Sequence, residues 1–215
     1  LTVQKYFTPA GRCIQKPYEE GKDDYYQDYA KRLERGEFFD ASSIKFPDSL
    51  KFATQLAKRT VYGGGGIMPD VFVPLDTSEN SRYFSDIIRV GVQNEWALTY
   101  VNAQRENLLA QYPTVEDFVA RYQIPVAEQQ KLIDMAVAKE VPFDEKGYAT
   151  SKHAILVRSK ALLARDLYQN EAFYQVINDL NPALKKAVQV LQNGEYDQLP
   201  LDGKANPKKK LEKNK

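Results

Sequence analysis

The sequence predicts an α+β protein in which a few β-strands precede a predominantly α-helical C-terminal domain. The first residues, "LTVQKYFT", alternate side chains with a period of two and are rich in β-branched and aromatic residues, as expected of a strand. Residues 79–193 instead carry repeated helix start and stop signals. The 215 residues, 43% hydrophobic and 27% charged, are sufficient to build a core of ordinary composition.

Three short β segments are expected in the N-terminal part. The alternating run over residues 2–8 is followed by Pro-Ala-Gly at 9–11, which is typical of a turn, and Cys13 then starts a second short strand. Residues 71–73, "VFV", predict a third strand that ends at the next residue, a proline. These segments would belong to one β-rich region.

A charged, tyrosine-rich block at residues 18–58 is predicted to be a helical insertion into that region. Residues 24–35 have helical character, and Gly36 is the expected C-terminal stop. The following "FPDSLKFATQLAKR" predicts either a strand or an irregular segment. We therefore place a β-rich region with this insertion at residues 1–76.

The helical domain is predicted to cover residues 77–203. Thr114 and Asp117 form a capping-box pattern, and Asn181-Pro182 marks the start of a helix that Asn193-Gly194 would end. The stretch "SKHAILVRSKALLARDLY" is apolar on most sides and predicts the central helix of a bundle.

Residues 204–215 are predicted to be a disordered basic tail. They contain six lysines and one glutamate, whereas the whole chain has a formal net charge of only +1. Because the tail has no aromatic residue to stack on a base, nucleic acid is not an expected partner. No run of apolar residues is long enough to cross a membrane, so we predict no membrane span.

The four glycines Gly63–Gly66 raise the question of a phosphate-binding loop. Such a loop requires Lys and Ser or Thr after the last glycine, or a glycine at the sixth position, followed by a helix. Here Ile67 and Met68 follow, and the next predicted element is a strand. We interpret the glycines as structural and expect no nucleotide or other cofactor.

His153 is the only histidine and the first candidate for catalysis. Ser151 is the nearest serine, but residues two apart on a helix face different directions; Ser42 and Ser159 remain alternatives from elsewhere in the fold. Ser-Lys combinations lack a glycine-flanked turn that would expose the hydroxyl, and paired carboxylates lie in hydrophilic or helix-start positions. The combinations considered were Ser49 with Lys51, Ser151 with Lys152, Ser159 with Lys160, Glu19-Glu20, Asp23-Asp24 and Glu116-Asp117.

No catalytic, cofactor-binding or metal-binding residue is therefore assigned from the residues alone. The single Cys13 can form neither an internal disulfide nor a zinc cluster. Tyr25, Tyr26 and Tyr29 are candidate interface anchors, although packing or partly buried surface positions are the commoner use of such residues.

Two segments resemble the end of the catalytic core of the C-terminal processing peptidases, also called tail-specific proteases. They are "LTVQKYFTPAGRCIQKPY" and "VYGGGGIMPDVFVPLD". The residues that match the family pattern are Tyr6, Phe7, Thr8, Pro9, Gly11, Arg12, Ile14 and Gln15, then Gly66, Ile67, Pro69 and Asp70. The matches cover some thirty residues. In shorter family members the two motifs are nearly adjacent, whereas here residues 18–62 separate them. This long separation resembles the larger envelope members from Bacteroides-type bacteria.

The resemblance implies a serine endopeptidase in which a lysine is the base, so that no histidine is needed. In that family the serine, the lysine and the substrate-capturing PDZ domain all precede the first motif. The chain thus resembles the C-terminal portion of such an enzyme, inactive alone, from the periplasm or cell envelope. Protein or peptide substrates would be bound by the parent enzyme.

A non-catalytic function is the alternative expectation. The helical region, roughly residues 79–200, would then be an interaction module for an adaptor or partner protein, or for a second copy of the chain. A pull-down that compares this chain with a longer parent protein would distinguish the two hypotheses.

Overall fold

A computed structural model describes residues 4–19 and 21–199, so the predicted basic tail at 204–215 lies outside the described residues. The chain forms two compact units. We call Leu1–Leu75 together with Lys186–Lys215 the N-terminal unit, and Asp76–Lys185 the helical unit. Each unit is described by itself.

Helices dominate the chain, and a single two-stranded sheet accompanies them in the described residues, which is the predicted α+β class. The strands are β1 (Lys51–Ala53) and β2 (Thr60–Tyr62). The α-helices are α1 (Lys22–Glu34), α2 (Arg82–Arg89), α3 (Val92–Gln111), α4 (Val115–Arg121), α5 (Val126–Ala138), α6 (Glu145–Leu167), α7 (Asn170–Ile177) and α8 (Pro182–Gln192). Short 3₁₀ turns occupy Ala41–Ser43, Asp48–Leu50, Asn178–Leu180 and Tyr196–Gln198.

The N-terminal unit contains less regular β-structure than its sequence pattern predicts. Strands β1 and β2 form an antiparallel hairpin in which Phe52 pairs with Val61. Of the run at residues 2–8, the structure describes residues 4–8, which contribute one isolated antiparallel bridge, between Phe7 and Cys13. The predicted strand at residues 71–73 is wrong, because no strand of the described residues lies beside it to accept its backbone hydrogen bonds.

Helix α1 lies inside the predicted insertion and nearly matches its predicted bounds. The helix ends at Glu34, and Gly36 follows in the left-handed region with φ of 76°, as its role as a stop requires. None of the residues of α1 is buried. The helix therefore exposes a tyrosine-rich face, with Tyr26 and Tyr29 both more than 60% exposed.

No hydrophobic side chain is buried among the described residues up to Leu75. The only buried residues in that described range are Glu37 and Gly63. Several large apolar side chains are instead exposed, and Leu56 in the β1–β2 turn is 99% exposed. A segment of this length without buried apolar side chains gains little hydrophobic stabilisation to offset the chain entropy lost on ordering.

The helical unit, by contrast, has a continuous apolar core. Apart from Val190, every buried hydrophobic residue of the described chain lies between Tyr83 and Val176. Helix α6 is central, as predicted: ten of its residues are buried and it packs against α2, α3, α4 and α7. The stretch that predicted this arrangement carries apolar residues on most sides of the helix, as expected of a central helix.

The predicted helix caps are confirmed. Thr114 Oγ1 accepts a hydrogen bond from the backbone N–H of Asp117 at 3.1 Å, and Asn181 Oδ1 accepts one from the N–H of Leu184 at 3.1 Å. Gly194 has φ of 68° just after α8, which fits its predicted stop. No helix of the described residues is both long and apolar enough to cross a membrane.

Candidate functional site

The glycine loop uses its backbone N–H groups within the fold. Gly64 donates to the carbonyl oxygen of Cys13 at 2.8 Å, and Gly66 donates to that of Ile14 at 2.7 Å. Gly63 donates to the carbonyl oxygen of Leu50 at 2.9 Å. A phosphate cradle needs such donors to point at the ligand, so these hydrogen bonds support the structural interpretation of the loop.

Space and backbone conformation explain why the loop consists of glycines. A Cβ atom on Gly63 would lie 2.8 Å from the carbonyl oxygen of Cys13, a contact that requires the backbone to shift. Gly64 and Gly66 adopt φ of 79° and 101°, which L side chains rarely adopt. The glycines thus allow the backbone of the loop to approach the backbone at residues 13–14 closely.

These hydrogen bonds join the two sequence motifs that resemble the peptidase core. The side chain of Arg12 also donates from Nη1 to the carbonyl oxygen of Tyr62 at 3.3 Å. Residues of the first motif, of the β1–β2 turn and of the second motif line one open groove of about 500 Å³. We call it the motif groove; it is lined by Thr8, Pro9, Ala10, Arg12, Thr54, Gln55, Leu56, Ala57, Arg59, Val61, Ile67, Met68 and Asp70.

Polar contacts hold the rim of the motif groove. Gln55 Nε2 donates to the carbonyl oxygen of Pro9 at 2.7 Å, so the hairpin turn is tied to the first motif. Arg59 forms an ion pair with Asp70, the last matching residue of the second motif. Apolar side chains remain open to solvent beside these contacts, with Leu56 fully exposed and Ile67 65% exposed.

A second feature of the N-terminal unit is the buried carboxylate of Glu37. Arg32 Nε and Arg35 Nε donate to its two oxygens at 2.8 and 2.7 Å. Burial alone would raise the pKa of Glu37, but the hydrogen bonds from Arg35 and Arg32 outweigh that effect and lower it below its usual value. The two arginines hold the Glu37 carboxylate against the C-terminal end of α1. We interpret this arrangement as structural.

The described part of the helical unit places its one histidine in an open cleft of about 340 Å³. His153 Nδ1 lies 2.9 and 3.0 Å from the two carboxylate oxygens of Glu79, and Nε2 lies 3.7 Å from Asp179 Oδ2. Lys185 Nζ contacts the other oxygen of Asp179 at 3.0 Å. We call Glu79, His153, Asp179 and Lys185 the His153 cluster.

The His153 cluster is not arranged for nucleophilic catalysis. Both ring nitrogens of His153 face carboxylates, and no hydroxyl or thiol side chain of the described residues lines the cleft. A general base must lie within hydrogen-bond distance of the group that it deprotonates. In the part of the chain that the structure describes, no group of three or more His, Cys, Asp or Glu side chains could hold a metal ion.

The candidate serines of the helical unit have structural partners. Ser151 is fully buried and hydrogen-bonds through Oγ to Ser81 Oγ at 2.8 Å, while Ser81 caps α2. Ser159 is also fully buried, and its Oγ accepts from Gln93 Nε2 at 2.9 Å. Neither serine contacts the imidazole. For Ser151 this agrees with the two-residue spacing on the helix, whereas Ser159 had remained an alternative.

Lys160, the lysine beside Ser159, also has a structural role. Its Nζ donates to the carbonyl oxygens of Val119 and Tyr122, both at 2.8 Å, at the end of α4. The last carbonyls of a helix lack partners within the helix, so Lys160 supplies the missing donors. Burial lowers the pKa of Lys160 below its usual value.

The remaining candidates also lie outside any common site. Ser42 belongs to a 3₁₀ turn and donates its backbone N–H to Asp40, and Lys51 pairs with Asp48 near Ser49. Lys152 lies over the ring of Tyr148. The carboxylate pairs at residues 23–24 and 116–117 lie in the first turns of α1 and α4, where helix dipoles favour them. Of the pair at residues 19–20, the structure describes only the first residue.

Two polar contacts that cross the helical unit were not predicted from the sequence. His153 and Glu79 are separated by 74 residues, and neither belongs to a motif that would pair them. Gln93 is 1% exposed and donates to both Ile155 O and Ser159 Oγ. For the contacts of Gln93, the sequence offered one signal, a polar residue among the positions of α3 that face the core.

Comparisons with known proteins provide one family match. A family of unknown function (DUF8443) matches residues 83–169, about two fifths of the chain. The matched residues all lie within the helical unit and run from α2 to just beyond α6. No curated protein and no solved structure matches the chain. The similarity therefore concerns the helical core, and the description of the family assigns no activity to it.

Proposed function

We propose that the chain is the C-terminal portion of a serine endopeptidase of the C-terminal processing type, which processes the C-terminal regions of envelope proteins. Residues 1–76 would complete the peptidase core, and the helical region at residues 77–203 would be an accessory domain. The observation that carries the proposal is the direct hydrogen bonding between the two motif segments, which lie about fifty residues apart in the sequence. In this proposal, residues 18–58 would be an insertion that leaves the two motifs in contact.

The exposed apolar surface of the N-terminal unit also supports this proposal. A segment with no buried hydrophobic side chain up to Leu75, in the described residues, needs a further surface to bury Leu56, Ile67 and their apolar neighbours. The β1–β2 hairpin likewise has outer edges that a larger sheet could pair. An upstream peptidase core would supply both.

The test starts from the coding sequence upstream of Leu1 and from the parent protein that it specifies. The proposal expects a serine on a glycine-flanked turn and then a lysine before the first motif. The parent should hydrolyse peptides and should react with a serine-directed fluorophosphonate, whereas the present chain alone should do neither. Replacement of that upstream serine by alanine in the parent is the matched control.

Two results would contradict the proposal. One is an upstream sequence without the serine and lysine. The other is peptide hydrolysis by the present chain alone, because Ser151, Ser159 and Lys160 are engaged in structural contacts.

The second candidate function is a non-catalytic interaction module in the helical unit. The observation that favours it is the restriction of the family match to residues 83–169, inside a unit with its own apolar core. A pull-down with the present chain and with the parent distinguishes the candidates. An interaction module retains the partner in the absence of the upstream region, whereas an accessory domain of the peptidase retains none.

A further inference from the structure

Three arginines of the helical unit lie close together and share a single carboxylate. Arg158 and Arg165 are seven residues apart on α6, so they project from the same side of that helix, about two turns apart. Arg165 Nε donates to Asp166 Oδ1 at 2.7 Å, and Arg105 of α3 donates to the carbonyl oxygen of Asp166 at 2.9 Å. We call Arg105, Arg158 and Arg165 the arginine row. Among the described residues, its carboxylate partner is Asp166 alone.

Arg158 is the member of the arginine row that lacks a counterion. Its side chain is half-buried and its Nε atom is buried, yet no acceptor in the described part of the chain bonds to that nitrogen. Burial, followed by the like charge of Arg165, lowers the pKa of Arg158, and no carboxylate of the described residues opposes these effects. Asp166 Oδ2 is also buried without a donor. Buried charges in proteins are nearly always paired, so the polar contacts around the row are incomplete.

We propose that the arginine row is a docking site for an acidic peptide segment of a partner protein, with a carboxylate of that segment as the counterion of Arg158. The proposal rests on the second candidate function, the interaction module, and assigns the chemistry of its partner. The arginine row and Asp166 lie inside residues 83–169, the part of the chain that matches the family. Guanidinium groups bind carboxylates through paired N–H donors, which gives such a site both affinity and orientation.

The charge of the helical unit favours a short acidic peptide over other anions. The unit contains 12 Lys and Arg and 15 Asp and Glu, a net charge of −3 with histidine neutral. Nucleic acids and anionic lipid surfaces carry dense negative charge, which the unit as a whole would repel. A phosphate dianion would place two charges beside the carboxylate of Asp166, whereas a peptide carboxylate places one. The local positive charge of the row therefore suits single carboxylates.

The experiment measures binding of a fluorescein-labelled hexaglutamate peptide to the intact chain, by fluorescence anisotropy at neutral pH in about 0.1 M salt. We expect saturable binding to the wild type and none of the corresponding hexaglutamine peptide. Arg158→Met should weaken binding by about tenfold or more, as the loss of charge-assisted hydrogen bonds predicts. Arg158→Lys keeps the charge but not the fork of donors, so its affinity should lie between those of Arg158→Met and the wild type.

Arg82→Gln is the matched control, because it also removes one arginine charge from the helical unit. The side chain of Arg82 is 95% exposed and lies 3.8 Å from its carboxylate partner, Asp86. This variant should change the affinity for hexaglutamate by less than about twofold, since exposed charges are screened.

Unfolding in urea supplies a second readout, which separates a binding role of Arg158 from a structural one. An unpaired, half-buried cation costs stability, so Arg158→Met should raise the urea midpoint of the free chain. A side chain that holds the fold together would instead lower the midpoint when it is replaced. Hexaglutamate should raise the midpoint of the wild type by binding its folded state, and it should raise that of Arg158→Met less.

Four results would overturn the proposal. The first is a wild type that does not bind hexaglutamate saturably; if the pull-down still retained a partner, the interaction module would stand with a different docking surface. The second is an equal loss of affinity in Arg158→Met and Arg82→Gln, which would indicate a nonspecific effect of charge. The third is a lower urea midpoint for Arg158→Met. The fourth is stronger competition by inorganic phosphate than by acetate at equal ionic strength, because the site would then prefer phosphate to a carboxylate.

Discussion

Replacement of Lys160 by methionine tests whether this lysine stabilises the end of α4. Methionine keeps a long unbranched side chain and a similar helix propensity, but it removes both hydrogen bonds from Nζ. The carbonyl oxygens of Val119 and Tyr122, each 2.8 Å from that nitrogen, then lose their donor. We therefore expect the helical unit to lose stability while α6 remains helical.

The size of the effect follows from two opposing contributions. Hydrogen bonds that involve a charged group contribute about 1.5–3 kcal/mol each. Methionine also avoids the cost of removing an ammonium group from water, which is several kcal/mol for a buried ion. Because Lys160 is half-buried, we expect a net loss of about 1–3 kcal/mol in the free energy of unfolding.

The assay is urea unfolding followed by the fluorescence of Trp96, the only tryptophan, which is 2% exposed in the core of the helical unit. The midpoint should fall by about 1 M urea for a change of this size. Lys152→Met, on the exposed face of the same helix, is the control and should change stability by less than about 0.5 kcal/mol. An unchanged midpoint for Lys160→Met would refute the capping role.

The pH dependence provides a second, independent readout. Burial lowers the pKa of Lys160 in the folded state from its usual value of 10.5. Between the two pKa values the unfolded chain binds more protons, so stability rises with pH in that range. A neutral amine still has two N–H donors for its two carbonyl partners. Lys160→Met should abolish this alkaline rise, and a rise that persists would contradict the assignment.

Three further predictions concern the glycine loop, the buried carboxylate and the α2 cap. Gly63→Ala should accelerate alkylation of Cys13 by about tenfold, because the added Cβ would push against the carbonyl oxygen of Cys13 and move its backbone. Gly65→Ala is the control and should leave the rate unchanged, because a Cβ at that position meets nothing within 4 Å. Glu37→Gln should lower hydrogen-exchange protection at residues 32–40 at pH 7. In the wild type, that protection should begin to decline near pH 4.5, the usual pKa of the group, and should be lost as the pH falls through the lower pKa of the folded state. Protection that does not depend on pH would contradict the ion pairs. Ser151→Ala should cost about 0.5–1.5 kcal/mol in urea unfolding, and no loss would mean that its hydroxyl does not support the cap.

The sequence by itself predicted that residues 79–193 are helical and identified several of the helix ends. Caps such as Thr114 and Asn181 act through contacts within four residues, so their roles can be inferred from local sequence. The same is true of Gly36 and Gly194, whose positive φ values follow from their positions after helices. The central position of α6 followed from its apolar faces.

Only the tertiary structure decided what the polar residues of the helical unit do. Ser151, Ser159 and Lys160 lie within ten residues of one another, yet each is bound by a different element of the fold. Their partners lie between 38 and 70 residues away in the sequence. Helix periodicity and short motifs relate only residues that are close in the sequence, so they cannot predict such contacts. The position of His153 between two carboxylates could not be predicted from the sequence for the same reason.

The β segments show the limit of local reasoning most clearly. Residues 71–73 have the composition of a strand but no strand partner among the described residues, and a strand needs backbone hydrogen bonds from another segment. For the glycine loop, motif spacing in the sequence was enough to argue against a phosphate site. The structural role of the loop became visible only through the tertiary contacts of Gly63 and Gly64. Helices are encoded by contacts a few residues apart, whereas strands and polar sites require partners that only the folded chain brings together.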